Sequence, residues 1–406
     1  MTGRRDASHI AILGAGPVGL EAAAAALERG FAVTVFERGE VADHVRQWGH
    51  VPLFTRFVRN AGPAGRRALV AADIPLPEDD AFLTGGEWRV RYLLPLAEVL
   101  AARAPFEMGT DVNYVSRVRL LKQEAMDDPR RADEPFRLLG KKRGAEWAAE
   151  ADIVLDCTGT WATPNWIGPG GTPALGERAL RPAITYHAPD VLGAAFERYA
   201  GRRVLLVGGG DSAASSAVAL GHLAARVPGT MIVWLTRTGG SVPLPVDPDD
   251  PLPGRRQIIA DANALADGGL DHFAWVPDAQ ILSLAKDGTG FSVTIATADG
   301  ERTVVCDEII ANVGYEPETS LYGELQVHTH WGTHAPMQLS TALQGLLAGA
   351  DAEQRAVHHF EAAALTHPEP NFFILGAKSY GKNSWFLMET GYGQVGTVMD
   401  LLGRKA

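Results

Sequence analysis

The stretch from His9 to Glu37 constrains this chain most. Four apolar residues, Ile10 to Leu13, run into the turn Gly14-Ala15-Gly16-Pro17-Val18-Gly19. An alanine-rich segment follows as far as Gly30, and a second apolar run, Val33 to Phe36, finishes in Glu37. This order predicts strand, glycine turn, helix, strand and acid. Gly14 permits the tight turn, Gly16 lets the backbone approach a pyrophosphate, and Gly19 lets helix and strand pack closely. The helix that starts at Pro17 turns free N–H groups and the positive end of its dipole toward that pyrophosphate. Glu37 stands where a carboxylate accepts from both ribose hydroxyls. A glycine turn alone occurs in many α/β proteins; the flanking strands and the terminal acid are what point to a dinucleotide.

A second signature opens at Arg203. The apolar run Val204 to Val207 enters Gly208-Gly209-Gly210-Asp211-Ser212-Ala213, a helix is expected to about Ala225, and a strand from Met231 to Leu235 leads to Arg237. Gly208, Gly210, Asp211 and Ser212 are the expected contacts of this second nucleotide. No acid ends its second strand. An arginine there suits a 2′-phosphate, so NADPH is expected ahead of NADH; a surface arginine without a ligand is the plainer alternative.

The rest of the chain reads more coarsely. Arg38 to Asn60, with Trp48, Thr55 and Arg56, has no clear period and reads as a loop covering something. Trp88 to Arg103 reads as a helix with Val90, Leu93, Leu94, Ala97, Leu100 and Ala101 on one face. Asp111 to Leu121, which contains Val112, reads as a strand, and Phe136 to Trp147 as a hairpin turning at Lys141-Lys142-Arg143-Gly144. The apolar strand Ala151 to Leu155 leads into Asp156-Cys157-Thr158-Gly159, and a Pro/Gly-rich stretch from Pro164 marks a domain crossing. Short strands are expected from Asp271 to Val313, ahead of Gly314-Tyr315-Glu316-Pro317. A helix is expected over Leu339 to Leu347, then a strand Phe372 to Leu375 entering Gly376-Ala377-Lys378, and a last helix holding Gln394. The fold class is therefore α/β, with two Rossmann-like three-layer domains. Residues 1–165 and 316–406 form the first, with a helical insert at about 320–365, and residues 166–315 form the second.

Composition narrows the partners. At 406 residues with a net charge of −11 and no long basic run, the chain is not expected to bind nucleic acid or a membrane surface. Arg4-Arg5 before an apolar run mimics a signal peptide, but Gly14, Gly16, Pro17 and Glu21 interrupt it, so a cytoplasmic location is expected. The two cysteines, Cys157 and Cys306, lie far apart in apolar runs and cannot form a CxxC pair. His328, His330, His334, His358 and His359 match no zinc spacing, and no metal is expected.

With both glycine turns placed, the chain resembles the two-dinucleotide-binding-domain flavoproteins, in which the N-terminal domain binds FAD and the inserted one binds NAD(P)H. The resemblance implies that Gly14, Gly16, Pro17, Gly19, Glu37, Arg38, Trp48, Thr55, Val112, Thr158, Gly159, Gly376, Ala377 and Gln394 face FAD. GGGDSA is similar to thioredoxin reductase, but the stretch that would carry its CxxC reads Ile184-Thr185-Tyr186-His187-Ala188-Pro189. The order of Trp48, Leu53-Phe54-Thr55-Arg56, Tyr92-Leu93 and Tyr186-His187 resembles the flavin-containing and N-hydroxylating monooxygenases. Arg56 takes the place of their Asn, Ala377 that of a common Asp, and the linker lacks their Phe-x-Gly opening. This resemblance implies oxygenation of a small-molecule amine or sulfur centre by O2 through a hydroperoxyflavin. Arg56, His187 and Lys378 are the candidate catalytic residues. Arg56 reads equally as a surface arginine, and for His187 a structural linker role is the stronger reading. The alternatives are an oxygen-independent reductase serving a quinone, small disulfide or protein acceptor, and a flavin-binding redox sensor. A homodimer remains open.

Overall fold

A computed structural model describes residues 8–349 and 360–403. His358 and His359 lie outside the described residues. The chain divides into two compact units, Met1–Thr163 with Glu316–Ala406, and Pro164–Tyr315. In chain order the first unit contributes strands β1 (His9–Leu13), β2 (Ala32–Glu37), β3 (Phe106–Met108), β4 (Thr110–Arg117), β5 (Phe136–Lys142), β6 (Ala145–Ala151) and β7 (Ile153–Asp156). The second unit holds β8 (Arg203–Val207), β9 (Met231–Leu235), β10 (Phe273–Val276), β11 (Gln280–Asp287), β12 (Gly290–Thr297), β13 (Gly300–Cys306) and β14 (Glu308–Ala311). The chain then returns to the first unit with β15 (Phe372–Ile374).

Both units use one plan. In the first, a parallel sheet ordered β15-β7-β1-β2-β3 lies between helices and the antiparallel sheet β4-β5-β6. Alternation along the strands produces the two interfaces. Ile10 and Ile12 of β1 pack with the helices Pro17–Glu28 and Met388–Gly403, whereas Ala11 and Leu13 face Val115, Phe136 and Leu138 of the smaller sheet. In the second unit the parallel sheet β10-β9-β8-β14 has helices Asp211–Arg226 and Pro253–Asp267 on one face. The antiparallel sheet β11-β12-β13 packs on its other face. Among the described residues no helix is long and apolar enough to cross a membrane.

Several elements differ from the sequence reading. The segment Arg38 to Asn60 is not all loop: it contains helices Asp43–Gln47 and Phe57–Asn60, each too short for a period to be read. The helix expected from Trp88 is present but phase-shifted. Its residues Arg89–Leu93 form a π turn, in which the Leu94 N–H bonds to the Arg89 carbonyl, just ahead of Pro95. Proline has no N–H to give the Arg91 carbonyl, and the extra residue in the turn rotates the faces. Val90 is consequently exposed, while Tyr92, Leu93, Leu96, Ala97 and Leu100 are buried. The strand expected to reach Leu121 ends at Arg117, and the one expected from Ala151 begins at Ile153. The helix Pro253–Asp267 has no counterpart among the expected elements; only Ala262 and Asn263 are buried along it, so no broad apolar stripe marks it.

Near β15, His367 packs against Phe372 with its Nε2 buried and without a hydrogen-bond partner among the described residues. Burial, the largest cause, pushes its imidazole down to about 4. The unfolded chain titrates near 6.5, so as pH falls it takes this proton before the fold does. Stability is therefore lost between about pH 6.5 and about 4, by roughly 2–3 kcal/mol over that window, and the group contributes no slope above it. Thermal melts from pH 7.5 to 4.5 should show this slope in the wild type and a flatter one in His367→Gln. Parallel profiles would exclude the assignment.

Candidate functional site

The carboxyl ends of β1, β2 and β7, with the turn after β15, open on a cleft of about 630 Å3 in the first unit. This is where open parallel sheets receive ligands. The three glycines of the first turn have different surroundings. Gly14 has a φ of +97°, and a Cβ there would lie 2.9 Å from the Cys157 carbonyl oxygen. At Gly19 a Cβ would lie 1.9 Å from the Gly14 carbonyl oxygen, so the helix can approach β1 only as glycine. At Gly16 nothing lies within 4 Å of an added Cβ, and the residue lines the cleft together with Pro17. Glu37 is anchored at the end of β2: its Oε2 accepts from the Ala15 N–H at 2.8 Å and its Oε1 from the Gly39 N–H at 2.7 Å. A carboxylate has about four acceptor positions, so hydroxyl donors can still be received. Arg38, Val112, Thr158, Gly159, Gly376 and Ala377 also line the cleft. An open glycine at a helix start and an anchored carboxylate on the next strand fit the adenosine diphosphate half of FAD.

Other expected contacts act at one remove. Gln394 is buried; its Oε1 accepts from the Gly376 N–H at 2.8 Å and its Nε2 donates to Ser379 Oγ at 2.9 Å. It shapes the turn after β15 and does not line the cleft. Thr55 is buried and exchanges hydrogen bonds with Asn60, at the start of the helix Phe57–Asn60. Trp48 is half-buried against Trp88. Arg56 caps the same short helix through its backbone, and its side chain is exposed. None of these three lines the cleft. Lys378 does line it, but as a buried partner rather than an open cation: its Nζ is 2.7 Å from Asp156 Oδ2 and donates to Thr158 Oγ1 at 3.0 Å. The sequence motif around Asp156 was legible; its pairing with a residue more than two hundred positions away was not. Asp43, Glu318 and Ser320, also absent from the expected set, complete part of the wall.

In the second unit, Gly208 has a φ of +140° and a Cβ there would meet the Asn312 carbonyl oxygen at 2.1 Å, whereas Gly209 and Gly210 have nothing within 4 Å. Asp211 and Ser212 open the helix and are exposed. Asp211 lies 4.0 Å from Arg255. Arg237 is exposed just beyond β9. Asn312, missed in the sequence, accepts from Ser216 Oγ at 2.7 Å through Oδ1, while its buried Nδ2 has no partner among the described residues. His187 stacks on Tyr315, with Nδ1 2.8 Å from the tyrosine hydroxyl.

Cys157 and Cys306 are both free and buried. Burial raises the Cys157 thiol well above its usual range and pushes Cys306 up to about 12, so thiolate is scarce at either. Among the described residues no three His, Cys, Asp or Glu side chains group to hold a metal ion.

Comparison with known proteins places the fold in a family. Residues 8–365 match the pyridine nucleotide-disulphide oxidoreductase family. Flavin-containing monooxygenase 1 of Oryctolagus cuniculus is 25% identical over 245 residues, which are 58% of this chain and 41% of that protein. The chain thus matches about two fifths of the length of that relative. The bacillithiol disulfide reductase of Bacillus cereus superposes with a TM-score of 0.68 at 17% identity, covering 99% of this chain and all of that one. The ornithine N-hydroxylase of Kutzneria sp. 744 gives a TM-score of 0.63 at 16% identity, with the same coverage. At such identities the two structures share the fold. Two nucleotide-binding units of one plan, matched along most of their length by one family, place this chain in the pyridine nucleotide-disulphide oxidoreductases, flavoenzymes that bind FAD and a pyridine nucleotide.

Proposed function

We propose that this chain is an NADPH-reduced, FAD-dependent monooxygenase that oxygenates an amine or sulfur centre of a small molecule. The observation that carries the reading is the state of the cysteines. Both are buried, neither is paired, and their thiols are raised, so this chain supplies no dithiol to carry electrons onward. In this reading electrons pass directly from the flavin to an external acceptor, and the sequence match to a flavin-containing monooxygenase favours O2.

FAD, when bound, supplies the electron-transfer and oxygen chemistry. The chain binds and orients. In this reading the start of the helix Pro17–Glu28 receives the pyrophosphate, Glu37 accepts from the ribose hydroxyls, and Ala377 and Gly376 close the cleft. Arg237 receives the 2′-phosphate of NADPH, and the Nδ1 of His187 shares a proton with the Tyr315 hydroxyl. A second reading, direct reduction of a quinone, small disulfide or protein acceptor, is favoured by one observation: the exposed Arg56 does not line the cleft where a cation would serve oxygen chemistry.

The test is to supply purified protein with NADPH, air and a panel of amines and sulfides, following NADPH, oxygen, product and hydrogen peroxide. A substrate that yields oxygenated product in step with NADPH and suppresses peroxide supports the proposal. Peroxide with every amine and sulfide, together with anaerobic turnover of a quinone or disulfide, would establish the reductase. Negligible NADPH consumption with any acceptor would instead indicate a flavin-binding sensor. In the same assay Arg237→Ala should raise the KM for NADPH about 10- to 100-fold, the worth of a charge-assisted phosphate contact, and leave NADH unchanged. Equal effects on both nucleotides would remove Arg237 from the 2′-phosphate site.

A further inference from the structure

The cleft wall contains one buried ion pair with a defined direction. Asp156 is the last residue of β7, where it registers with Leu13 of β1 and Ile374 of β15. Its side chain is fully buried, as is that of Lys378, and the Asp156 Oδ2 to Lys378 Nζ distance is 2.7 Å. Lys378 and Thr158 are among the residues that line the cleft and Asp156 is not, and the Lys378 side chain itself lies beneath the cleft surface with no exposed area. Asp156 Oδ1 accepts from the Thr158 hydroxyl at 2.7 Å and from the Thr158 N–H at 3.1 Å. Lys378 Nζ in turn donates to Thr158 Oγ1 at 3.0 Å and lies 5.3 Å from the centre of the Tyr322 ring. Tyr322 is buried with its hydroxyl unpartnered among the described residues, and burial, then the nearby Asp156, holds its phenol in the neutral form. The ammonium is therefore held by a carboxylate behind it, a hydroxyl beside it and an aromatic face.

We propose that Asp156 is a positioning residue that fixes the Lys378 ammonium as the positive end of a buried dipole turned toward the FAD cleft, where it favours the reduced, more electron-rich flavin. This rests on the cleft being the FAD site. A charge pair of zero net charge still exerts a field on a neighbour closer to one end than to the other, and in a poorly solvated wall that field is weakly screened. Fixing the ammonium through three partners also means it need not reorganise when the flavin gains charge. Lys378 thus acts on the cofactor electrostatically, and Asp156 acts through Lys378.

The test is the midpoint potential of the bound FAD, measured by dye equilibration in wild type, Lys378→Met and the double variant Asp156→Asn/Lys378→Met. Breaking one half of a buried pair can impair folding, so the double variant, which leaves no unpaired charge, keeps the test available. The expected result is a lower potential in both, by about 30 mV or more, which is a tenfold shift of the two-electron equilibrium toward oxidised flavin. Restored melting in the double variant alongside a lowered potential would separate the electrostatic role from a structural one. Variants that bind FAD yet stay within twofold of the wild-type equilibrium would overturn the proposal and leave the FAD site standing. A wild-type protein that takes up no FAD would overturn both, and is recognised by its lack of flavin absorbance.

Discussion

Replacing Glu369 with alanine should lower the melting temperature by about 6–20 °C. Glu369 is almost completely buried between two buried guanidinium groups: Arg117 Nε donates to its Oε1 at 2.7 Å and Arg131 Nη2 to its Oε2 at 2.7 Å. The Gln326 N–H also donates to Oε2, at 2.8 Å. Arg117 further donates to the Glu134 carbonyl and stacks 3.6 Å above the Phe136 ring. These contacts tie the antiparallel sheet β4-β5-β6 to the segment leading into β15. Whether such a triad is better than an apolar core is a separate question, since desolvation can offset the attraction. Removing only the acid leaves two arginines buried without their counter-charge, which costs roughly 3–5 kcal/mol. In a unit of this size each kcal/mol moves the melt by about 2–4 °C. The surface pair Arg67–Glu28 sets the contrast: the arginine side chain is 60% exposed, and Glu28→Ala should cost under about 1 kcal/mol. Melting both variants by near-ultraviolet circular dichroism checks the pair. A Glu369→Ala shift no larger than that of Glu28→Ala would mean the triad is not a structural tie.

What could be read from the sequence and what could not divides along one physical line. The elements His9–Leu13, Pro17–Glu28 and Ala32–Glu37 follow from short-range rules: apolar alternation, a glycine turn, a proline at the helix start. The second turn, with Met231–Leu235 after it, is read in the same way. The members of the cleft that come from these motifs, Gly14, Gly16, Glu37, Thr158 and Gly376, are indeed neighbours in space. Partners fixed only by topology were illegible. Lys378 reads as a free cation after a strand, and nothing local in either segment shows that β7 and β15 will lie side by side and bring Asp156 to it. Arg117 and Glu369 are likewise joined only because the last part of the chain returns to the first unit. The phase error at Val90 has a different origin. A single π turn shifts every later residue by about a third of a turn, and a fixed 3.6-residue period cannot register it.

The first glycine turn allows folding and binding to be separated by two substitutions three residues apart. Gly19→Val should reduce the FAD content of the purified protein at least about tenfold and lower its melting temperature. The Cβ of any side chain at Gly19 falls 1.9 Å from the Gly14 carbonyl oxygen, a backbone atom that cannot rotate away. Accommodating it means moving the helix Pro17–Glu28 off β1, and Val18, Leu20 and Ala22–Ala26 of that helix are buried. The loss would run against intrinsic propensity, since valine is a better helix former than glycine by a few tenths of a kcal/mol, so a destabilised variant identifies the close approach as the cause. Gly16→Ala is the counterpart. Its φ of −79° suits alanine and nothing of the protein lies within 4 Å of the new methyl, so the fold should melt within about 2 °C of wild type, as an unstrained surface change does. The methyl would nonetheless stand at a cleft-lining position, where the pyrophosphate must approach the backbone, and FAD affinity should fall. Flavin absorbance per protein and thermal melts of the two variants give four numbers. Normal flavin content and melting in Gly19→Val would sink the helix–strand argument; undiminished flavin affinity in Gly16→Ala would mean that the ligand's phosphates do not pass over this turn.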